Sequence, residues 1–190
     1  MVKKRLIIGI TGASGAIYAV RLLETLGKTK EVEVHLVISQ SARLTLALET
    51  PYKLKEIEAL ADEVHNPQNM AASIASGSYK TEGMIVVPCS MRSLAEIATA
   101  LTTTLLTRAA DVVLKERRKL VLVVRETPLT TVHLRHMVTI SEMGGIIAPP
   151  VPAFYQKPQS LDEVIDHTVG RVLDIFDIEH ELVKRWQGAK

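Results

Sequence analysis

Apolar residues gather in five short runs along the chain, Leu6–Ile10, Val32–Ile38, Met84–Pro88, Leu120–Val124 and Ile146–Ala148, most of them rich in β-branched side chains. Runs of this length and composition read as strands buried on both faces. Between them apolar positions fall every three to four residues, as in Ala16, Ile17, Ala19, Val20, Leu22 and Leu23, the period of a helix packed on one side. Strand and helix alternating in this way predict a doubly wound α/β domain with a parallel sheet of about five strands. One domain is expected over 1–190. It closes on a helix over 160–187, opened by the capping-box spacing Ser160 to Glu163 and lined by Leu161, Val164, Ile165, Val169, Val172, Leu173, Phe176, Leu182 and Val183.

Ligands of such sheets sit beyond the carboxyl ends of the strands. After the first run comes Thr11-Gly12-Ala13-Ser14-Gly15, small residues that lead straight into a helix. A helix start leaves N–H donors exposed and favours negative charge, glycines let the main chain approach closely, and Ser14 adds a hydroxyl. The turn is therefore an expected anion site. Its glycines lack the G-x-G-x-x-G spacing, and the second strand ends at Ser39 rather than at Asp or Glu, which favours a mononucleotide phosphate over a dinucleotide. The other tips are Ser39-Gln40-Ser41, Cys89-Ser90-Met91-Arg92-Ser93, Arg125-Glu126-Thr127, and the segment from Pro149 that delivers Phe154-Tyr155-Gln156-Lys157. Ser39 and Ser90 are also expected N-caps, Ser93 and Glu96 have capping-box spacing, and Thr127-Pro128 reads as the start of another helix. Over 104–119, Arg108 and Lys115 stand seven apart on one helix face. Arg171 and Trp186 fit neither the plain solvent face nor the core face of the last helix.

Composition narrows the field. Of 190 residues 47% are apolar and only 4% aromatic, so the core is aliphatic. A net charge of +2 gives no basis for wholesale nucleic-acid binding. The basic start, Met1 to Arg5, precedes an apolar run too short for a signal peptide, and no stretch reaches the length of a membrane span. The single Cys89 excludes an internal disulfide, fits a reducing cytoplasm, and reads as a packed small hydrophobe rather than a nucleophile. His133 and His136 have no carboxylate or cysteine nearby in sequence and read as surface residues, so no metal site is expected.

Taken together, GITGASGA at Gly9–Ala16, Ser39, PCSMRSLAEIA at Pro88–Ala98, VVRETPLT at Val123–Thr130 and PPVPAFY at Pro149–Tyr155 resemble the UbiX/Pad-type flavin prenyltransferases, in order and over nearly the whole chain. The resemblance implies a flavodoxin-like or Rossmann-like three-layer sandwich, cytoplasmic and assembled as a homo-dodecamer, with the closing helix at an oligomer interface or active site. It implies a transferase that needs no metal and joins a dimethylallyl group from dimethylallyl phosphate to N5 and C6 of reduced FMN. Prenylated FMN would then pass to a UbiD-type decarboxylase, as in ubiquinone biosynthesis. Gly12, Ala13, Ser14, Ser39, Ser90, Met91, Arg92, Ser93 and Arg125 match flavin-binding positions. Tyr155, Arg171, Lys115, Arg108, Trp186 and Tyr79 match the donor pocket, and Glu49, Glu126, Ser14 and Lys115 the catalytic set. The residues agree with that chemistry. Arginine and lysine neutralise a departing phosphate, aromatic faces steady an allyl group with cationic character, and the chain has no Asp-Asp pair of the kind that holds magnesium in prenyl diphosphate enzymes. A related cysteine decarboxylase would carry Pro-x-Met-Asn-x-x-Met-Trp, for which the chain has no match. A non-catalytic flavin carrier is the remaining alternative.

Overall fold

The computed structural model describes residues 3–183, 185 and 188. Six parallel strands form one sheet: β1 (Lys4–Ile10), β2 (Val32–Ile38), β3 (Glu63–His65), β4 (Gly83–Cys89), β5 (Lys119–Val124) and β6 (Ile146–Ile147), in the spatial order β3-β2-β1-β4-β5-β6. Without the short β3 this is the flavodoxin-like order, and with it the order of doubly wound dinucleotide folds. The strand direction of growth reverses between β1 and β4, which makes their carboxyl ends the natural crevice. The sixth strand, β3, is absent from the reading of the sequence. It is three residues long and only His65 of it is buried.

Helices cover both faces. Leu6, Ile8 and Ile10 of β1 pack with α1 (Ala16–Lys28) and α7 (Leu161–Ile175), whereas Ile7 of β1 joins Met84 and Val86 of β4 under α4 (Met91–Ala98), α5 (Leu105–Lys115) and Ile140 of α6 (Thr131–Glu142). This two-sided burial is why the strands read as unbroken apolar runs. Between β2 and β3 lie α2 (Gln40–Glu49) and α3 (Leu54–Glu58), and 3-10 turns occupy Ser73–Ala75 and Phe154–Gln156.

Several local expectations are corrected. The helix near the fourth tip starts at Thr131 rather than after Thr127: the Thr130 side chain accepts from His133 N–H, while Thr127 N–H donates to the Glu126 carboxylate. Ser90, not Ser93, caps α4, and Glu96 accepts instead from Arg92 and Thr103. The helix over 104–119 ends at Lys115, because Lys119 already begins β5. The closing helix stops at Ile175, so Leu182 and Val183 lie beyond it, and Trp186 falls outside the described residues.

Pro88 sits inside a central strand because the β4–β5 register shifts between Val86 and Cys89, where its missing N–H costs no ladder bond. Its carbonyl accepts from Thr11 Oγ1 at 2.7 Å, and Thr11 Oγ1 in turn accepts from Ser90 N at 2.8 Å. Thr11 is buried and so ties the tips of β1 and β4 together. Thr11→Val keeps the shape and the Thr11 N–H bond to Pro88 O, but leaves Ser90 N–H without its acceptor. It is expected to lower unfolding stability by about 1–3 kcal/mol in a denaturant titration.

Candidate active site

The starts of α1, α2 and α4 converge at the carboxyl edge of β1, β2 and β4. Ser39 caps α2 by accepting from Ala42 N, and Ser90 caps α4 by accepting from Ser93 N. Between these two helix starts opens a cleft of about 540 Å³ bordered by Ser39, Gln40, Ser41, Ser90, Arg92 and Ser93. Two helix starts and four hydroxyls facing one space suit an anionic group. Met91 turns instead toward the second core.

The turn after β1 is held by a stripe on α2. Ser41, Thr45 and Glu49 recur at every fourth residue and so share a face. Gly12 packs so tightly on this stripe that a Cβ there would meet Ser41 Cβ and Oγ at 2.6 Å, and Thr45 Oγ1 donates to Gly12 O at 3.3 Å. Glu49 accepts from Gly15 N at 2.7 Å and Ala16 N at 3.0 Å. The first N–H groups of α1 therefore already face a carboxylate. The anion-binding role expected of this helix start moves to Gly12, Ala13 and Ser14 and to the neighbouring cleft. Burial alone would raise the Glu49 pKa, yet bonds from Ser14, Ala16 and Gly15, with the Arg125 charge nearby, hold it below the ordinary carboxylate value.

Arg125 follows β5, its N–H donating to Cys89 O at 3.1 Å. Its charge acts on Glu49 and on Tyr18, whose hydroxyl is paired with Thr168 of α7. Ser14, Glu49 and Arg125 thus come together as expected, with Glu126 exposed at the same tip. Tyr18 and Thr168 were not foreseen, since both sit within amphipathic helices where periodicity marks only packing. Cys89 is fully buried and its thiol is pushed up to about 12 by burial, which removes it as a nucleophile.

A second group lies along α7. The Tyr155 hydroxyl stands 3.4 Å from His167 Nε2, one helical turn before Arg171. Burial, and then the Arg171 charge, hold His167 below its ordinary pKa. Arg171 is exposed and bonds Asp174 at 2.7 Å, and Asp174 also takes His180 and Arg185. His167 was another residue missed in the sequence. It is one of four lone histidines with no partner spacing to mark them.

The remaining predicted donor ligands are elsewhere. Lys115 ends α5 beside Glu116 at 2.5 Å, Arg108 bonds Asp111 and the Ala75 carbonyl, and Tyr79 lies near Arg5 and His35. Lys115 and Tyr79 belong to the amino-end edge of the sheet. Lys119 opens β5 and Arg125 follows its end, six residue steps or roughly 20 Å away. One chain does not bring Lys115 and Tyr79 to its own strand tips, and Arg108, in the first turn of α5, is engaged by Asp111 and Ala75.

The sequence matches the Flavoprotein family over residues 1–187. It is 61% identical over 188 residues to the flavin prenyltransferase UbiX of Salmonella typhimurium, a match covering 98% of this chain and 100% of the relative. The chain belongs to the UbiX flavin prenyltransferases. Among solved UbiX-type structures, AnUbiX (PadA1) in complex with FMN and dimethylallyl pyrophosphate superposes with a TM-score of 0.96 at 48% identity, covering 99% of this chain and all of that one. A dodecameric FMN-dependent UbiX-like decarboxylase from Escherichia coli O157:H7 gives 0.94 at 53% identity, covering 97% and 100%. Family membership accounts for a tip set built from small and hydroxyl residues. Among the described residues no helix is long and apolar enough to cross a membrane.

Proposed function

We propose that this chain transfers the dimethylallyl group of dimethylallyl phosphate to N5 and C6 of reduced FMN, releasing phosphate and giving prenylated FMN. The observation that carries this reading is the meeting of Ser14, Glu49 and Arg125 at the switch point of a chain 61% identical to a UbiX prenyltransferase. FMN enters as substrate. Gly12, Ala13, Ser14, Ser39, Ser90, Arg92, Ser93 and Arg125 bind and orient it, the hydroxyl-lined cleft taking its phosphate tail. Met91, packed toward the core, shapes the wall behind them.

The reaction breaks the C–O bond of the donor and forms a bond from the allyl carbon to N5, whose proton leaves; closure on C6 then takes up a proton at the prenyl double bond and gives up the one carried by C6. Arg171, Lys115 and Arg108 neutralise the departing phosphate, and Tyr155 holds it by its hydroxyl. The aromatic faces of Tyr79 and Trp186 steady the allyl group by about 0.5–2 kcal/mol each. Glu126 and Glu49 stand as acceptors for the proton, with the released phosphate as a third.

Because Lys115 and Tyr79 sit at the opposite edge from the strand tips, we assign them, with Arg108 on the same helix face as Lys115, to the site of a neighbouring copy in a homo-oligomer, a dodecamer like the E. coli relative. Exposed Leu44 and Leu48 on α2, Val132 and Val138 on α6, and Phe154 supply apolar surface for such contacts. The single domain over 1–190, its cytoplasmic location and a UbiD-type decarboxylase as recipient belong to the same reading. Anaerobic incubation with reduced FMN and dimethylallyl phosphate is expected to give a flavin heavier by one five-carbon unit in mass spectrometry. Unmodified FMN after full reduction would refute the activity.

A further inference from the structure

One tripeptide occurs twice on neighbouring strands, Glu33-Val34-His35 in β2 and Glu63-Val64-His65 in β3. Residues two apart on a strand share a face, so each carboxylate stands beside its own histidine. The parallel register then sets His35 against Glu63. His35 is fully buried and His65 nearly so, while the Glu63 side chain is 51% exposed. His35 Nδ1 lies 3.0 Å from His65 Nε2 and 3.3 Å from Glu63 Oε2. On the far side, His35 Nε2 lies 3.0 Å from Glu33 Oε1 and 3.2 Å from the Tyr79 hydroxyl, and Arg5 Nε stands 3.4 Å from the same Glu33 oxygen.

A carboxylate only accepts hydrogen bonds. Glu33 favours the His35 proton on Nε2, the tautomer that leaves Nδ1 free to ligate. Glu63 Oε1, 3.5 Å from His65 Nδ1, favours the proton there and turns the Nε2 lone pair back toward His35. His35 Nδ1 and His65 Nε2 then stand 3.0 Å apart, with a carboxylate oxygen beside them. One ligand atom from each of His35, Glu63 and His65 lies within 4.8 Å of the other two.

We propose that His35 Nδ1, His65 Nε2 and Glu63 Oε2 form a binding site for a divalent first-row transition ion, zinc or a close analogue, distinct from the flavin cleft. Two ligand atoms at about 2.0–2.1 Å from a tetrahedral ion stand roughly 3.3 Å apart. The His35–Glu63 separation already meets this, and the two rings need open only slightly. Glu33 supplies the carboxylate–histidine pairing behind a metal ligand that fixes ring orientation and tautomer. Exposure of Glu63 gives the ion a way in and leaves a position for water. The ion fastens the edge strand β3 to β2. Pro67 and Gln68, two and three residues beyond His65, border the cleft, so loading stiffens that wall of the flavin site.

The test uses the full-length protein, stripped with a chelator and titrated with zinc in a calorimeter. One ion per chain is expected. Glu33→Gln and Glu63→Gln, both at partly exposed side chains, are each expected to weaken binding 10–100-fold, and His65→Ala to abolish it. A His133→Ala, His136→Ala double variant is expected to bind as the parent does. Wild-type protein that takes up no stoichiometric zinc overturns the site, as does uptake that survives both Glu63→Gln and His65→Ala or is lost with His133 and His136. None of these readouts depends on prenyl transfer.

Discussion

Arg171→Ala is expected to keep its flavin and lose its use of the donor, with kcat/KM for dimethylallyl phosphate falling about 10²–10³-fold, the usual cost of removing one preorganised charge from a leaving anion. The fold should tolerate the change. Arg171 is a surface residue of α7, and Asp174 retains His180 and Arg185 after its loss. Lys115→Ala should show the same pattern for a different reason, since we assign it to a neighbour's site. Two inactive variants, Lys115→Ala and Arg125→Ala, should therefore recover part of the wild-type rate when refolded or coexpressed together, because a mixed assembly contains some sites with both groups intact. Flavin absorbance of the purified variants and steady-state rates with varied donor separate the roles. Loss of FMN from Arg171→Ala or Lys115→Ala, or no recovery on mixing, contradicts the assignment.

Glu49→Gln is expected to weaken both the fold and the reaction. The carboxylate takes two N–H groups at the positive end of α1, and bonds to a charged acceptor contribute about 1.5–3 kcal/mol each before screening. Glutamine keeps an oxygen acceptor without the charge, so a loss of about 1–2 kcal/mol is expected at neutral pH. The sign with pH follows from the lowered folded pKa. Stabilisation of this kind is complete above the unfolded carboxylate value, about 4.3, and is lost as pH falls through the lower folded value. Urea midpoints of wild type and variant should differ at pH 7 and converge toward pH 3. A constant difference across that range would assign the effect to something other than charge.

Much of this architecture was legible because burial on both faces leaves a plain signature. Val32–Ile38 is a strand with the bounds its apolar run suggests, and Ser39 and Ser90 cap helices as their positions imply. β3 left no such mark: an edge strand of three residues, one of them buried, has almost no pattern to show. The helix after β5 was misplaced because Thr127-Pro128 and Thr130 are competing starts within four residues. What decided between them was a hydrogen bond from Thr127 to Glu126, which spacing does not encode. At the site, tips belonging to consecutive strands could be read directly. Tyr18 and His167 could not, because their significance comes from helices brought across the sheet. The distance of Lys115 from Arg125 was equally hidden. A seven-residue spacing with Arg108 states that two charges share a face, not which end of a strand that face overlooks.

The contact between Gly12 and Ser41 limits how this site can be remodelled. With no room for even a methyl group, the turn after β1 and the first turn of α2 form one stiff block, whose hydroxyls are positioned before any nucleotide arrives. Variation that would suit a bulkier donor, or a modified flavin, has little freedom on that side. It must be accommodated by the extended proline segment from Pro149 and the surface of α7, where side chains are exposed and substitutions leave the sheet undisturbed.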